Sequence, residues 1–296
     1  MKLTIHSALC VLLLLLVSTG GAQTPYQSSG DFAKFAQKLR EQSLLELEPQ
    51  VIMPTEKNKA GIRGLYPWKQ RIVTTIFWVG ESAGQNNPVH NFSSCWDAEW
   101  WKSFGGYDNP TRTARRALPG GGSIAGTFLP QQNPFYFALP YTDVSGGHHK
   151  PEARLVIPWF KQVFEEEGKS VCRDRWIAIR KDSRVCYAQW SDCGPFRTDH
   201  YGYVFGNEYP TANLNHGAGL DVSPAVRDYL GLSDTDVVDW KFMEYRDIPT
   251  GPWAMFGNNN TFVMEARRTQ TRLVQDQKRA PKIREALEDG PAVITK

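Results

Sequence analysis

The sequence predicts a mainly β fold, a compact barrel of short strands joined by long loops. Three observations predict it. Short runs rich in β-branched and aromatic residues recur between breaks rich in Gly, Pro and Asn. Two of these runs, 175–180 and 184–190, are separated only by Lys181-Asp182-Ser183 and read as a β-hairpin. One short helical pattern sits directly before the last strand pattern, as a decoration on a barrel.

The elements follow in order. Residues 1–22 read as a secretion signal. Lys2 supplies the positive end, an apolar run follows at 8–17, and Gly20 and Ala22 fit a small-x-small cleavage site. The run is too short to span a bilayer comfortably, and Cys10 is misplaced for a lipid-attachment cysteine. A secreted or periplasmic product, free of the membrane after signal removal, is expected.

Residues 23–66 hold an N-terminal helix and a linker. Phe32, Phe35, Ala36 and Leu39 make an apolar stripe over 31–47, and Ser29 or Asp31 can cap it. Residues 67–257 form the barrel domain. Residues 72–79 read as a buried strand, and 80–88 as a loop rich in Gly and Asn. Residues 95–101 carry Trp96, Trp100 and Trp101 on a short helix or turn that ends at Gly105-Gly106. Packing against the barrel and a sugar platform both suit them. Residues 111–122 are a loop, and its Gly run lacks the Lys of a phosphate loop. Residues 135–141 are a strand. Residues 223–230 are a helix with Ser223 as cap, Pro224 at its first position and Gly231 at its end. Residues 237–245 alternate as a final strand. Residues 258–296 are a charged tail, extended or partly helical, with Pro281 inside it.

Composition narrows the function classes. The chain of 296 residues carries a net charge of only +3, which leaves no nucleic-acid footprint. A mild basic excess suits an anionic polymer. Without Cys10 the cysteines are Cys95, Cys172, Cys186 and Cys193, an even set that predicts two disulfides in an oxidising compartment. Three pairings are open. Cys172–Cys186 with Cys95–Cys193 is preferred because the first closes a short loop. Zinc is disfavoured by the absence of a C-x-x-C pair, and Asp234, Asp236 and Asp239 lack the spacing of a calcium loop. No metal or cofactor is expected. His148-His149 reads as a pair of exposed loop residues.

Two stretches carry the candidate chemistry. Trp190-Ser191-Asp192-Cys193-Gly194-Pro195-Phe196 reads as a strand running into a Gly-Pro turn. Gly219-Leu220-Asp221-Val222-Ser223-Pro224-Ala225 reads as a short strand feeding a helix. Carboxylates at two strand ends can converge on one groove, as glycoside chemistry requires. An Asp before Gly-Pro is also a common turn former, and one before Ser-Pro-Ala a common cap, so the residues alone leave both roles open.

With residues 133–140, Asn133-Pro134-Phe135-Tyr136-Phe137-Ala138-Leu139-Pro140, these two blocks resemble the rare-lipoprotein-A-like domains. The resemblance runs over roughly 71–245. It implies a six-stranded double-psi β-barrel, related in fold to expansins, barwin and the family-45 endoglucanases. It also implies a secreted protein that binds or cleaves cell-wall glycans, in some members as a lytic transglycosylase. Asp192 matches the acid of the family motif, and Leu220-Asp221-Val222-Ser223 matches a second block. The chain departs from the pattern at three positions. Ser191 and Cys193 stand where the family has Asn and Arg, and Tyr136 stands where transglycosylase members carry His.

On this resemblance Asp192 is the expected general acid, with Trp190 and Phe196 around it, and Asp221 is the second carboxylate of a hydrolase. Tyr136 is expected to bond the acid or the sugar, or else to be a core aromatic. His200 or His216 could take the place of the missing His. The expected partner is peptidoglycan or another polysaccharide, and a monomer is expected. A non-catalytic, expansin-like glycan-binding barrel is the alternative.

Overall fold

The computed structural model describes residues 66–84 and 87–288, with backbone alone for 278 and 280–288. The signal segment, the helix expected over 31–47 and most of the linker lie outside the described residues.

Ten strands are present among the described residues. They are β1 (Lys69–Ile76), β2 (Arg115–Ala117), β3 (Ser123–Ala125), β4 (Tyr136–Leu139), β5 (Val144–Ser145), β6 (His148–His149), β7 (Trp176–Lys181), β8 (Arg184–Cys193), β9 (Leu220–Val222) and β10 (Thr235–Met243). Six of them close a barrel in the order β1-β10-β7-β8-β4-β9, with β9 returning to β1. The barrel is mixed. The pairs β1/β9 and β4/β8 are parallel, and the other four are antiparallel. The loop expected over 111–122 instead contributes β2, which pairs with β3.

The hairpin is where the sequence places it. β7 and β8 pair from Trp176↔Gln189 to Lys181↔Arg184, leaving Asp182 and Ser183 as the turn. Asp182 has a φ of 51°, a left-handed conformation that Asp tolerates better than most residues. The helices α1 (Trp100–Phe104), α2 (Ala153–Val156), α3 (Phe160–Val163) and α4 (Tyr201–Val204) are single turns on the connections. The helix before the last strand is α5 (Pro224–Leu230). The Ser223 hydroxyl accepts from the Val226 N–H and donates to the Pro134 carbonyl, so the cap also ties the helix to the segment before β4. Gly231 ends α5 at a φ of 75°, a conformation that glycine adopts without steric cost. The tail continues as α6 (Thr261–Glu288), helical where the sequence left an extended form open.

The barrel core is aromatic. Trp190 stacks on Phe137 at 5.9 Å and Phe205 on Phe242 at 5.8 Å, and Trp240 meets Phe242 edge-on. A second, smaller apolar cluster of Phe77, Val79, Trp100, Phe104, Tyr136 and Ala138 lies under α1. Two of the three clustered Trp are thereby explained as packing. Trp100 is buried with its indole N–H donating to Gln132, and Trp96 packs edge-on against Trp190.

One disulfide, Cys95–Cys193, is present, with Cα atoms 5.9 Å apart. Cys172 and Cys186 are free and buried, which overturns the second expected bridge. The register gives the reason. Cys186 pairs with Ile179, whereas Cys172 precedes the whole of β7. A turn in which the Arg175 N–H donates to the Cys172 carbonyl precedes β7, and the strand from Trp176 to Ile179 alone spans about 10 Å, beyond disulfide reach.

Candidate functional site

The site is a row of residues across four barrel strands. Thr75 of β1 pairs with Asp221 of β9, Asp221 pairs with Ala138 of β4, and Ala138 pairs with Asp192 of β8. Residues paired directly across strands face the same side of a sheet. The two carboxylates therefore flank the small Ala138 side chain, two strand spacings apart, or roughly 10 Å between Cα atoms.

Asp192 owes its direction to a bulge. Trp190 pairs with Phe137 and faces the core, so simple alternation would turn Asp192 the same way. The register instead shifts by one residue between Phe137 and Ala138, with Ser191 as the extra residue. That shift carries Asp192 to the face of Ala138, a recurrent use of bulges beside functional sites.

All four residues line one groove of about 820 Å³. Trp78, Glu81 and His90 enter it from the segment after β1, and Phe196 and Arg197 from the turn after β8. Phe196 is 40 % exposed and has a φ of 58°. For a bulky residue that is a strained backbone, tolerated where the surroundings impose it.

The carboxyl groups hold their protons tightly. Burial pushes Asp192 up to about 7, opposed by the N–H groups of Cys95 and Cys193, and the Asp221 charge raises it further. Both N–H groups donate to the same Oδ1 atom at 2.8 Å, and they belong to the two halves of the disulfide. Burial likewise raises Asp221 to about 6, against the Thr75 hydroxyl that donates to its Oδ1. Glu81 is raised to about 7, mainly by burial, with the Asp221 charge adding to it.

No family model matches this chain, and a search of curated proteins finds no match either. The site therefore stands on its own geometry.

That geometry brings together Asp192, Asp221 and Phe196 of the residues expected from the sequence, and not the others. Trp190 is fully buried in the core, and its indole N–H donates to the Asp192 backbone carbonyl, so it supports the acid from beneath and offers no face to a ligand. Tyr136 is fully buried under α1. Its hydroxyl donates to Asp108 at 3.0 Å and accepts from the Val79 N–H, so it bonds neither acid. His200 is turned to Glu208 at 3.0 Å, and His216 is exposed; neither lines the groove. His149 also departs from its expected exposure. Its side chain is buried between Phe160, Asp143 and Glu167. Among the described residues the group with metal-ligand spacing is Cys95, Asp192 and Cys193, and its two sulfurs are bonded to each other. Glu81 and Trp78 are the groove residues that sequence reasoning missed.

Two expected outcomes follow from these placements. Between about pH 4 and pH 7 the folded chain holds protons on Asp192 and Asp221 that the unfolded chain has released, so stability falls as pH rises through that window. Asp192→Asn removes one such group while keeping an acceptor for both N–H donors. Urea unfolding should show the variant gaining stability over the native chain at pH 8 and gaining nothing near pH 3.5. The same gain at both pH values would count against a buried, proton-holding Asp192.

Tyr136→Phe should behave in the opposite sense. It removes a buried donor from Asp108, which also pairs with Arg115. The expected cost is about 1–3 kcal/mol in unfolding free energy, read from urea midpoints. An unchanged midpoint would count against the buried Tyr136–Asp108 bond.

Proposed function

We propose that this chain is a secreted, cell-wall- or polysaccharide-active enzyme of the rare-lipoprotein-A-like kind, cleaving glycosidic bonds with Asp192 as general acid and then base. The observation that carries the proposal is Asp192 itself, a buried carboxyl with a pKa near 7, turned by a bulge onto the floor of an open groove. A general acid works best with a pKa near the working pH, and desolvation is a usual way to raise a carboxyl that far. Protonating the glycosidic oxygen lets the bond to the anomeric carbon break. In a lytic transglycosylase the sugar's own hydroxyl then attacks, and the acid, now a base, takes its proton.

Other features support the finer parts of this reading. A closed ring of six strands with two parallel pairs agrees with a double-psi barrel. A disulfide and a signal-like N-terminus agree with secretion, and no described helix is long and apolar enough to cross a membrane. An expansin-like binding barrel is the second reading. Trp78 and the exposed Phe196 at the groove favour it, because flat rings can pack on the apolar face of a sugar.

Incubation of the mature chain with intact and peptide-stripped peptidoglycan, and with other β-linked polymers, tests the proposal. Anhydro-sugar products are the expected result. Products with reducing ends would make it a hydrolase. Pelleting on the polymer without any product would leave the binding barrel.

A further inference from the structure

We infer that Glu81 is a second catalytic carboxylate of this groove, the acceptor for the proton of the attacking oxygen while Asp192 protonates the leaving one. The inference rests on the glycan-cleaving reading above and moves the base's part from Asp192 to a residue outside the barrel strands, so that Asp192 acts as the acid alone.

Glu81 lies in the segment that leaves β1, and that segment is anchored. The Gly80 N–H donates to the Asn91 carbonyl, the Asn91 N–H donates to the Glu81 carbonyl, and the Glu81 N–H donates to the Trp78 carbonyl. The Asn91 side-chain amide donates to Glu81 Oε2 at 2.8 Å. The carboxylate is therefore fixed in place by the Asn91 amide, with the Trp78 N–H and the Asn87 side chain also bonding it, while its residue lines the same groove as Asp192 and Asp221.

Asp221 lies within the barrel wall, paired to Thr75 and Ala138, with the Thr75 hydroxyl donating to its Oδ1. Its charge raises the proton affinity of both Glu81 and Asp192. The charged and titratable groups facing the groove with Glu81 are Asp192, Asp221, Asp234, Arg197, Arg227 and His90. Arg197 is paired to Asp199 and Arg227 to Asp228, so neither is held on Glu81.

The step balances without a further reagent. The bond between the anomeric carbon and the leaving oxygen breaks, and that oxygen takes the proton of Asp192. The attacking hydroxyl, from water or from the same sugar, forms the new bond and gives its proton to Glu81. Exchange with solvent in the open groove resets both groups.

The test uses the mature chain, Glu81→Gln, Glu81→Ala and Asp192→Asn on a polymer that the native chain cleaves. The native rate should peak near pH 7 and fall on both sides. Glu81→Gln should lower turnover by roughly 10²–10⁴-fold and lose the acidic limb while keeping the alkaline one. Added formate should restore turnover to Glu81→Ala and not to Asp192→Asn. A Glu81→Gln variant with the native rate and both limbs would overturn the inference and leave the cleavage proposal standing. A variant weakened only through lost stability, with both limbs kept and no rescue by formate, would overturn it as well. A native chain that releases no product from any polymer would remove both proposals together.

Discussion

On the proposed reading, Asp192→Asn is expected to abolish glycan cleavage while leaving the fold and the binding of polymer intact. The substitution keeps the shape of the side chain and an oxygen for the N–H groups of Cys95 and Cys193. What it removes is the transferable proton. General acid catalysis contributes on the order of 10²–10⁴-fold, and Asp192 is the group proposed to protonate the leaving oxygen. A fall within that range is expected in product release measured by mass spectrometry. Pelleting on the polymer should be unchanged. Retained cleavage would make Asp192 a turn residue and would shift attention to Asp221 and Glu81.

The second large effect is expected at the disulfide. Cys95 and Cys193 are 98 residues apart in the chain. A cross-link closing a loop on the order of 100 residues limits the unfolded chain by about 4.7 kcal/mol in the chain-entropy account, and measured losses on removal are typically about 2–5 kcal/mol. Cys95→Ser with Cys193→Ser should therefore lower the unfolding free energy by about that amount, read from denaturant midpoints. Turnover should fall further than stability explains. Without the bridge, nothing covalent keeps the Cys95 N–H on Asp192, and a carboxylate that loses an N–H donor rises further in pKa. The alkaline limb of the rate profile should move upward in the variant. An unmoved limb would show that the loop holds its place unaided.

The sequence carried part of this site in legible form. Asp192 and Asp221 were readable because each stands where a strand pattern meets a strong local signal, Gly-Pro in one case and a capped helix start in the other. The hairpin, the Ser223 cap and the Gly231 stop were readable for the same reason. Long-range choices were not. The bulge at Ser191 that turns Asp192 outward depends on the register against β4, which local propensity does not encode. The same shift defeated the placement of Trp190, which looked like a groove aromatic and is a core residue. Tyr136 is open in the sequence between a site role and a core aromatic, and its burial under α1 makes it the core aromatic. Glu81 gave no signal at all. A lone acid in a loop rich in Gly and Asn becomes chemically unusual only when the fold buries it, with the Asp221 charge adding to the effect. The free Cys172 and Cys186 show the limit of loop length as a guide to pairing, since a short separation in sequence still spans most of a hairpin.

The row from Thr75 through Asp221 and Ala138 to Asp192 draws on four segments that are far apart along the chain. The two acids themselves lie on β8 and β9, which do not pair with each other. The two acids become neighbours only when β4 is seated between β8 and β9, and β9 against β1, contacts of high contact order that form late in a folding chain. Competence in this molecule is thus all-or-none with respect to ring closure. A chain that has not yet closed the ring has not assembled this row of side chains.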